Sequence, residues 1–202
     1  GLKFVNNDAC YPSITTVGQI MDAVLSGKYD TNKLAIIMTQ TGGCCRASNY
    51  VSFIRRALDQ VNLSHIPVIS LNMNGMEKNS GFKLKVGLIL KLGKGVTYGD
   101  LLMRCLYKVR PYELVPGSAN ELHKKLTDIC LDSLINKNTK YSYKQVCQMI
   151  VDEFDKLPIN ENLVKPRVGI VGEILVKYMP LANNHLVELL ESEGAEVVVP
   201  DL

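Results

Sequence analysis

Two adjacent thiols follow a pair of glycines in the segment TQTGGCCRASNY, Thr39 to Tyr50. An apolar run, LAIIM (Leu34 to Met38), precedes it, and the amphipathic stretch VSFIRRALDQV follows. The order reads as strand, glycine turn, thiols, helix. A helix N-terminus offers unpaired backbone N–H groups and partial positive charge. Both stabilise a thiolate, the form of cysteine that attacks electrophiles or binds metal. Gly42 and Gly43 allow a sharp turn beside a bound group. Arg46 adds positive charge favouring a thiolate or an anionic cofactor. Adjacency argues against Cys44 and Cys45 both binding one metal in ordinary geometry. One is the chemical residue and the other its neighbour.

Cys10, in NNDACYPS, lies on a loop just before a helix expected from about Ser13, because Pro12 favours a turn. It is either a metal-ligating thiol or a small buried hydrophobe. Cys105, Cys130 and Cys147 fall within apolar helical patterns and read as core thiols. No CxxC occurs, so a zinc ribbon or thioredoxin site is unsupported. RVGIVGE, Arg167 to Glu173, resembles a nucleotide-binding turn without GxGxxG. Gly172 stands at its turn, and Glu173 is a candidate ligand or base. Asn183 and Asn184 are expected to cap a helix. His65, His123 and His185 have no partner at triad spacing. YKVRPYE, Tyr107 to Glu113, reads either as a partner surface or as a helix end held by hydrogen bonds, with the second preferred.

These groups need elements to position them. Ile14, Val17, Ile20, Met21 and Val24 mark one helix, ended by Gly27. Leu34 to Met38 is a strand, Val51, Ile54, Leu58 and Val61 mark a helix, and Pro67 to Leu71 is a second strand. From Gly81 to Pro158 the pattern is helical. Phe82 to Leu92 is expected as one helix, interrupted or bent at KGVTYGD and resumed through Val109. Ser118 is expected to cap the next helix with Glu121 at capping-box spacing. Ser142 to Leu157 follows as a helix, and 158–166 reads as a linker. Arg167 to Gly172 is a strand, Asn183 to Glu193 a helix, and Ala195 to Val199 a strand. The expected fold is α/β, a parallel sheet built from two β-α-β units with a helical block between them. Residues 1–80 form an α/β unit with cysteine-bearing loops, 81–160 the helical segment and 161–202 the start of a second α/β lobe. The alternative is that all three pack as one domain.

The 202 residues are 47% hydrophobic, enough for a real core, and carry a formal net charge of +3. That charge is too small to argue for nucleic acid, and no basic-aromatic strip suggests base stacking. No apolar run is long enough to span a bilayer and no signal peptide is evident, so a cytoplasmic protein without a membrane partner is expected. Six cysteines in a chain with a full core fit reduced thiols or metal ligands better than disulfides. The abrupt ends, at Gly1 and directly after AEVVVPDL, lead us to expect an internal piece of a longer polypeptide.

Several segments together resemble one family. NNDACYPS, VGQIMDAVLSGKYD, TQTGGCCRASNY, PVISLN, YGDLLMRCLYKVRPYE, PGSANELHKK and the stretch from RVGIVGE to VVVPDL are similar to the large activase-related proteins of the 2-hydroxyacyl-CoA dehydratase system. Those proteins join an ATP-dependent activase-like region to a region similar to dehydratase or double-cubane-cluster subunits, and this chain looks like the latter. The resemblance implies an iron–sulfur protein acting in low-potential electron transfer, with a cysteine-ligated [4Fe–4S] cluster. It implies partners in other domains of the same polypeptide, including the activase-like region, with a homo-oligomer as a further option. Family cysteine motifs match Cys10 in ACYPS and Cys45 in TGGCCR. The usual family pattern there is TGGGCR, so Cys44 replaces a glycine and Cys45 is the better ligand candidate. Further family cysteine motifs lie outside this chain, which implies an incomplete ligand set and no activity of the segment alone.

Overall fold

The computed structural model describes residues 1–40, 45–71, 85–136 and 139–202, with Arg46 described by its main chain only. The chain divides into two compact units, Gly1–Lys83 and Leu84–Leu202. It is a mixed α/β protein with two small parallel sheets of two strands each. Among the described residues the strands pair as two separate sheets, one in each unit, in line with a second α/β element after residue 160.

In the first unit, α1 (Tyr11–Leu25) precedes β1 (Ile36–Thr39), α2 (Tyr50–Gln60) and β2 (Val68–Leu71). β1 and β2 run parallel, in register from Ile36 opposite Val68 to Thr39 opposite Leu71. The helical spacing of Val17, Met21 and Val24 on α1 and of Val51, Ile54 and Leu58 on α2 turns one face of each helix inward. These side chains close over Ile36 and Val68 in one apolar core. Each fully buried aliphatic side chain contributes about 1.5–3 kcal/mol through removal from water. α1 starts two residues earlier than expected, at Tyr11, because Pro12 suits the first turn of a helix, where no intrahelical donor is needed.

The second unit opens with α3 (Val86–Val109), α4 (Ser118–Ile135) and α5 (Tyr143–Asp155). β3 (Arg167–Gly169), the short helices α6 (Ile174–Tyr178) and α7 (Pro180–Asn183), α8 (Leu186–Ser192) and β4 (Glu196–Val198) follow. Tyr98, Leu102 and Leu106 of α3, Leu126 and Cys130 of α4, and Val146, Ile150 and Phe154 of α5 share a core. A smaller cluster, Ile170, Val187, Val197 and Val199, packs β3, β4 and α8 against Met103 and Tyr107 of α3. β3 and β4 thus sit in the same compact unit as the helices.

Three local expectations are corrected. α3 is unbroken through KGVTYGD. Each interior glycine disfavours helix by about 1 kcal/mol, but Tyr98 is buried, 3.1 Å from the Ser133 hydroxyl, and Gly95 lies against Leu134. Tertiary packing outweighs propensity there. At Gly87, Gly93 and Gly99 an added Cβ would meet nothing within 4 Å. α4 is not capped by Ser118, which is its first residue; the N-cap is Gly117 at φ +90°, a left-handed conformation that suits glycine. The cap is instead the Glu113 carboxylate, which accepts the N–H groups of Gly117 (2.7 Å) and Ala119 (2.8 Å). Segment 158–166 is held, not loose, at its start. Leu114 N–H donates to the Pro158 carbonyl and Asn160 N–H to the Tyr112 carbonyl, with an antiparallel bridge between Glu113 and Ile159. By contrast, α5 begins at the expected Ser142 cap, with the reciprocal Gln145 bond of a capping box. The expected start of this helix, Phe82 to Leu84, lies outside the described residues.

His123, half-buried on α4, is held below the ordinary histidine value by burial first and by the nearby Arg110 charge second. Protonation therefore costs more in the folded than in the unfolded chain. The stability contributed by neutral His123 is complete above the unfolded value of about 6.5 and is lost as pH falls through the lower folded value. Urea titrations at stepped pH should show this acid loss reduced in His123→Gln; an identical slope would sink the assignment.

Candidate functional site

The candidate thiols occupy equivalent places at two helix entries in the first unit. Cys10 is the residue before α1, in extended backbone (φ −61°, ψ 146°), and its side chain makes no cap bond. The N–H groups of Ser13 and Ile14 donate to its carbonyl. Its Sγ lies 2.9 Å from the hydroxyl of Ser13, a fully buried residue. The sulfur is partly exposed. One turn beyond Ser13, the Thr16 hydroxyl is buried with no hydrogen-bond partner.

Cys45 is the residue before a short 3-10 turn, Arg46–Asn49, that leads directly into α2. Its backbone is also extended (φ −109°, ψ 148°), its side chain makes no cap bond, and the residue is exposed. Cys44, Gly42 and Gly43, named as candidates from sequence, lie outside the described residues, as does the Arg46 side chain. Glu173 does appear, as the N-cap of α6, where its carboxylate accepts the Val176 N–H at 3.2 Å. Its visible use is local, at a helix start. Gly172 stands at the turn before it with φ +148°, a region open to glycine.

Gln40 is a positioning residue that sequence reading missed. It follows β1 and is largely buried. Its N–H donates to the Leu71 carbonyl at 3.0 Å, extending the β1–β2 ladder by one rung. Its side-chain amide donates from Nε2 to the Ser48 carbonyl at 2.7 Å, while the Ser70 hydroxyl donates to its Oε1. One side chain thereby ties both strand ends to the turn that starts at Cys45. A glutamine after an apolar strand gives no pattern; only its two remote partners reveal the role.

The other cysteines lie in the second unit. Cys130 is buried, and burial pushes its thiol up to about 11, with Cys147 adding to the rise. Burial also raises Cys105, with Asp155 adding to the effect. These thiols suit packing better than nucleophilic chemistry. His185 and His65 are exposed and, among the described residues, belong to no cluster of ligating side chains. Among the described residues no group of three or more His, Cys, Asp or Glu side chains gathers to hold a metal ion, and no helix is long and apolar enough to cross a membrane.

YKVRPYE proves to be a bonded helix end. Arg110 grips Glu191 of α8 in a fork, Nε to Oε2 at 2.8 Å and Nη2 to Oε1 at 3.0 Å. Tyr112 donates its hydroxyl to Glu196 of β4 at 2.7 Å, and Glu113 caps α4.

No family model, no curated protein and no solved structure matches this chain.

Proposed function

We propose that the chain is a segment of an iron–sulfur protein related to 2-hydroxyacyl-CoA dehydratase and its activator, supporting low-potential electron transfer. The observation supporting this is the repeated setting of Cys10 and Cys45. Both thiols sit just before a helical segment, in extended backbone, with side chains not engaged in capping. Iron–sulfur clusters take cysteine thiolates, four for a cubane, and are tuned by nearby hydrogen bonds. The donor set fits in kind. Cys10 and Cys45 would hold the group, and the Ser13 hydroxyl at Cys10 Sγ would stabilise negative sulfur. The remaining donors would come from other parts of the polypeptide, with Cys44 as the alternative to Cys45. A bound cluster would supply one-electron chemistry. As architecture we propose that each two-stranded sheet is the centre of a β-α-β unit, with α3–α5 as the block between. The proposed setting is cytoplasmic. Its partners would be other domains of the same polypeptide, including an ATP-dependent activase-like region, or a second copy, without nucleic acid or membrane.

Anaerobic reconstitution with ferrous iron and sulfide of a longer polypeptide that carries the further cysteine motifs tests the reading. Bound iron and acid-labile sulfide, with a paramagnetic signal after dithionite reduction, are expected, and Cys10→Ser or Cys45→Ser should abolish them. Full cluster content in both variants would refute the ligand assignment.

The exposure of Cys45 favours a second reading, thiol-based redox or nucleophilic chemistry. Native alkylation with iodoacetamide at pH 8 should modify Cys45 readily and leave Cys130 almost untouched. A thiol near 11 is about one part in a thousand thiolate at that pH. Peptide mapping reads both sites, and equal labelling of the two would contradict the burial argument. If Cys45 reacts only as an unperturbed thiol, with reactivity rising near pH 8.5, the thiol-enzyme reading fails.

A further inference from the structure

Two cysteines of the second unit lie at one level of its helical core. Tyr98 of α3 marks a neighbouring level. Its hydroxyl is 3.1 Å from that of Ser133 near the end of α4, and its ring centroid is 5.2 Å from that of Tyr143 at the start of α5. Leu126, toward the start of α4, and Ile150, toward the end of α5, share one buried core, so the two helices run antiparallel. Cys130 stands one turn before Ser133, and Cys147 one turn after Tyr143. In antiparallel helices these steps point the same way, about 4.5 and 6 Å along the axes. Cys130 is a buried member of that core, and Cys147 packs against it, partly exposed. Packed helix axes lie about 8–10 Å apart with Cα atoms about 2.3 Å off each axis. Facing residues therefore come within the about 4.4–6.8 Å that a disulfide spans. The two thiols also act on one another: Cys147 adds to the rise of the Cys130 thiol, and both raise Tyr98. Cys105 is not a competitor, because it lies near Asp155, two turns beyond Cys147.

We infer that Cys130 and Cys147 form a reversible redox couple, oxidised by hydroperoxides to a disulfide that ties α4 to α5. The partly exposed Cys147 takes the first step, and the buried Cys130 resolves it. The Cys147 sulfur attacks one peroxide oxygen. The S–O bond forms, the O–O bond breaks, and the leaving oxygen departs as water or alcohol with the thiol proton. The Cys130 sulfur then attacks the Cys147 sulfur. The S–S bond forms, the S–O bond breaks, and the Cys130 proton leaves with the hydroxide as water. Two thiols lose two electrons and one peroxide gains them. Placement beside its target offsets the low thiolate fraction of Cys130. A dithiol reductant reverses the change. This couple is distinct from Cys10 and Cys45, which lie in the first unit.

The test treats the folded full chain with hydrogen peroxide, blocks residual thiols and maps peptides without reduction. A linked pair carrying Cys130 and Cys147 is expected. The urea midpoint of the second unit should rise by about 1 M, return with dithiothreitol, and stay fixed in Cys147→Ala. In Cys130→Ala, dimedone should tag Cys147 as its sulfenic acid. Cys147 linked to any other cysteine, or left reduced while Cys130 is oxidised, would overturn the proposal. So would a link that forms only in urea, or an unchanged midpoint in the linked chain. Mapping of the unsubstituted chain decides even if a variant fails to fold.

Discussion

Glu191→Ala should destabilise the second unit by about 2–4 kcal/mol, the largest effect expected of any single polar substitution here. Glu191 and Arg110 are mostly enclosed, with side chains 13% and 16% exposed. The fork between them is bidentate, so it has little freedom to lose and less screening than a surface pair. Removing the carboxylate leaves the Arg110 charge enclosed, with Asn120 (3.1 Å) and the Tyr107 ring (5.3 Å) as its other contacts. The guanidinium would have to turn toward water and pull on the end of α3. Urea unfolding of Glu191→Ala, Arg110→Ala and the double variant gives the coupling. A large coupling is expected, with the double variant less destabilised than the sum of the singles. A loss under about 1 kcal/mol in Glu191→Ala would mean the pair behaves as an exposed one.

The second large effect concerns Gln40. Gln40→Ala should cost the first unit about 2 kcal/mol, from two side-chain hydrogen bonds at about 1 kcal/mol each. The local consequence matters more than the sum. Gln40 Nε2 is the bond from the sheet to Ser48, in the turn that begins at Cys45. Without it, amide exchange through Ser48 and Asn49 should accelerate, and alkylation of Cys45 should rise while that of Cys10 stays constant. Gln40→Glu separates the two roles. A carboxylate can still accept from Ser70 but cannot donate to the Ser48 carbonyl, so the turn should loosen while the strand ends stay joined. Unchanged exchange at Ser48 in both variants would remove Gln40 from the positioning role.

These two residues also show what the sequence carried and what it did not. Short-range signals were legible. The β-branched run before TQTGG gave β1, Val51, Ile54 and Leu58 gave the buried face of α2, and Ser142 with Gln145 gave the start of α5. Asn183 serves the entry of α8 as expected, accepting the Leu186 N–H at 3.1 Å. That helix nevertheless starts later than its pattern suggested, because His185 takes a left-handed conformation and breaks it from α7. What failed was anything settled by partners remote in sequence. Gln40 meets Ser70 thirty positions on, Arg110 meets Glu191, and Tyr98 meets Ser133. No window of residues contains both members of such pairs. The glycine-rich middle of α3 was misread for the same reason. The site was legible as residue types in loop-to-helix settings, while its central stretch, Thr41 to Cys44, lies outside the described residues.

The unbroken glycine-bearing helix has a thermal consequence. Lys85 to Lys94 are all exposed, so no core side chain fastens the leading turns of α3. Gly87 and Gly93 add backbone entropy there, each about 1 kcal/mol less favourable than alanine. On warming, α3 should unwind from its leading end before α4 and α5 let go. Ellipticity would drift downward ahead of the main transition, and alanine at those two open positions would level that drift.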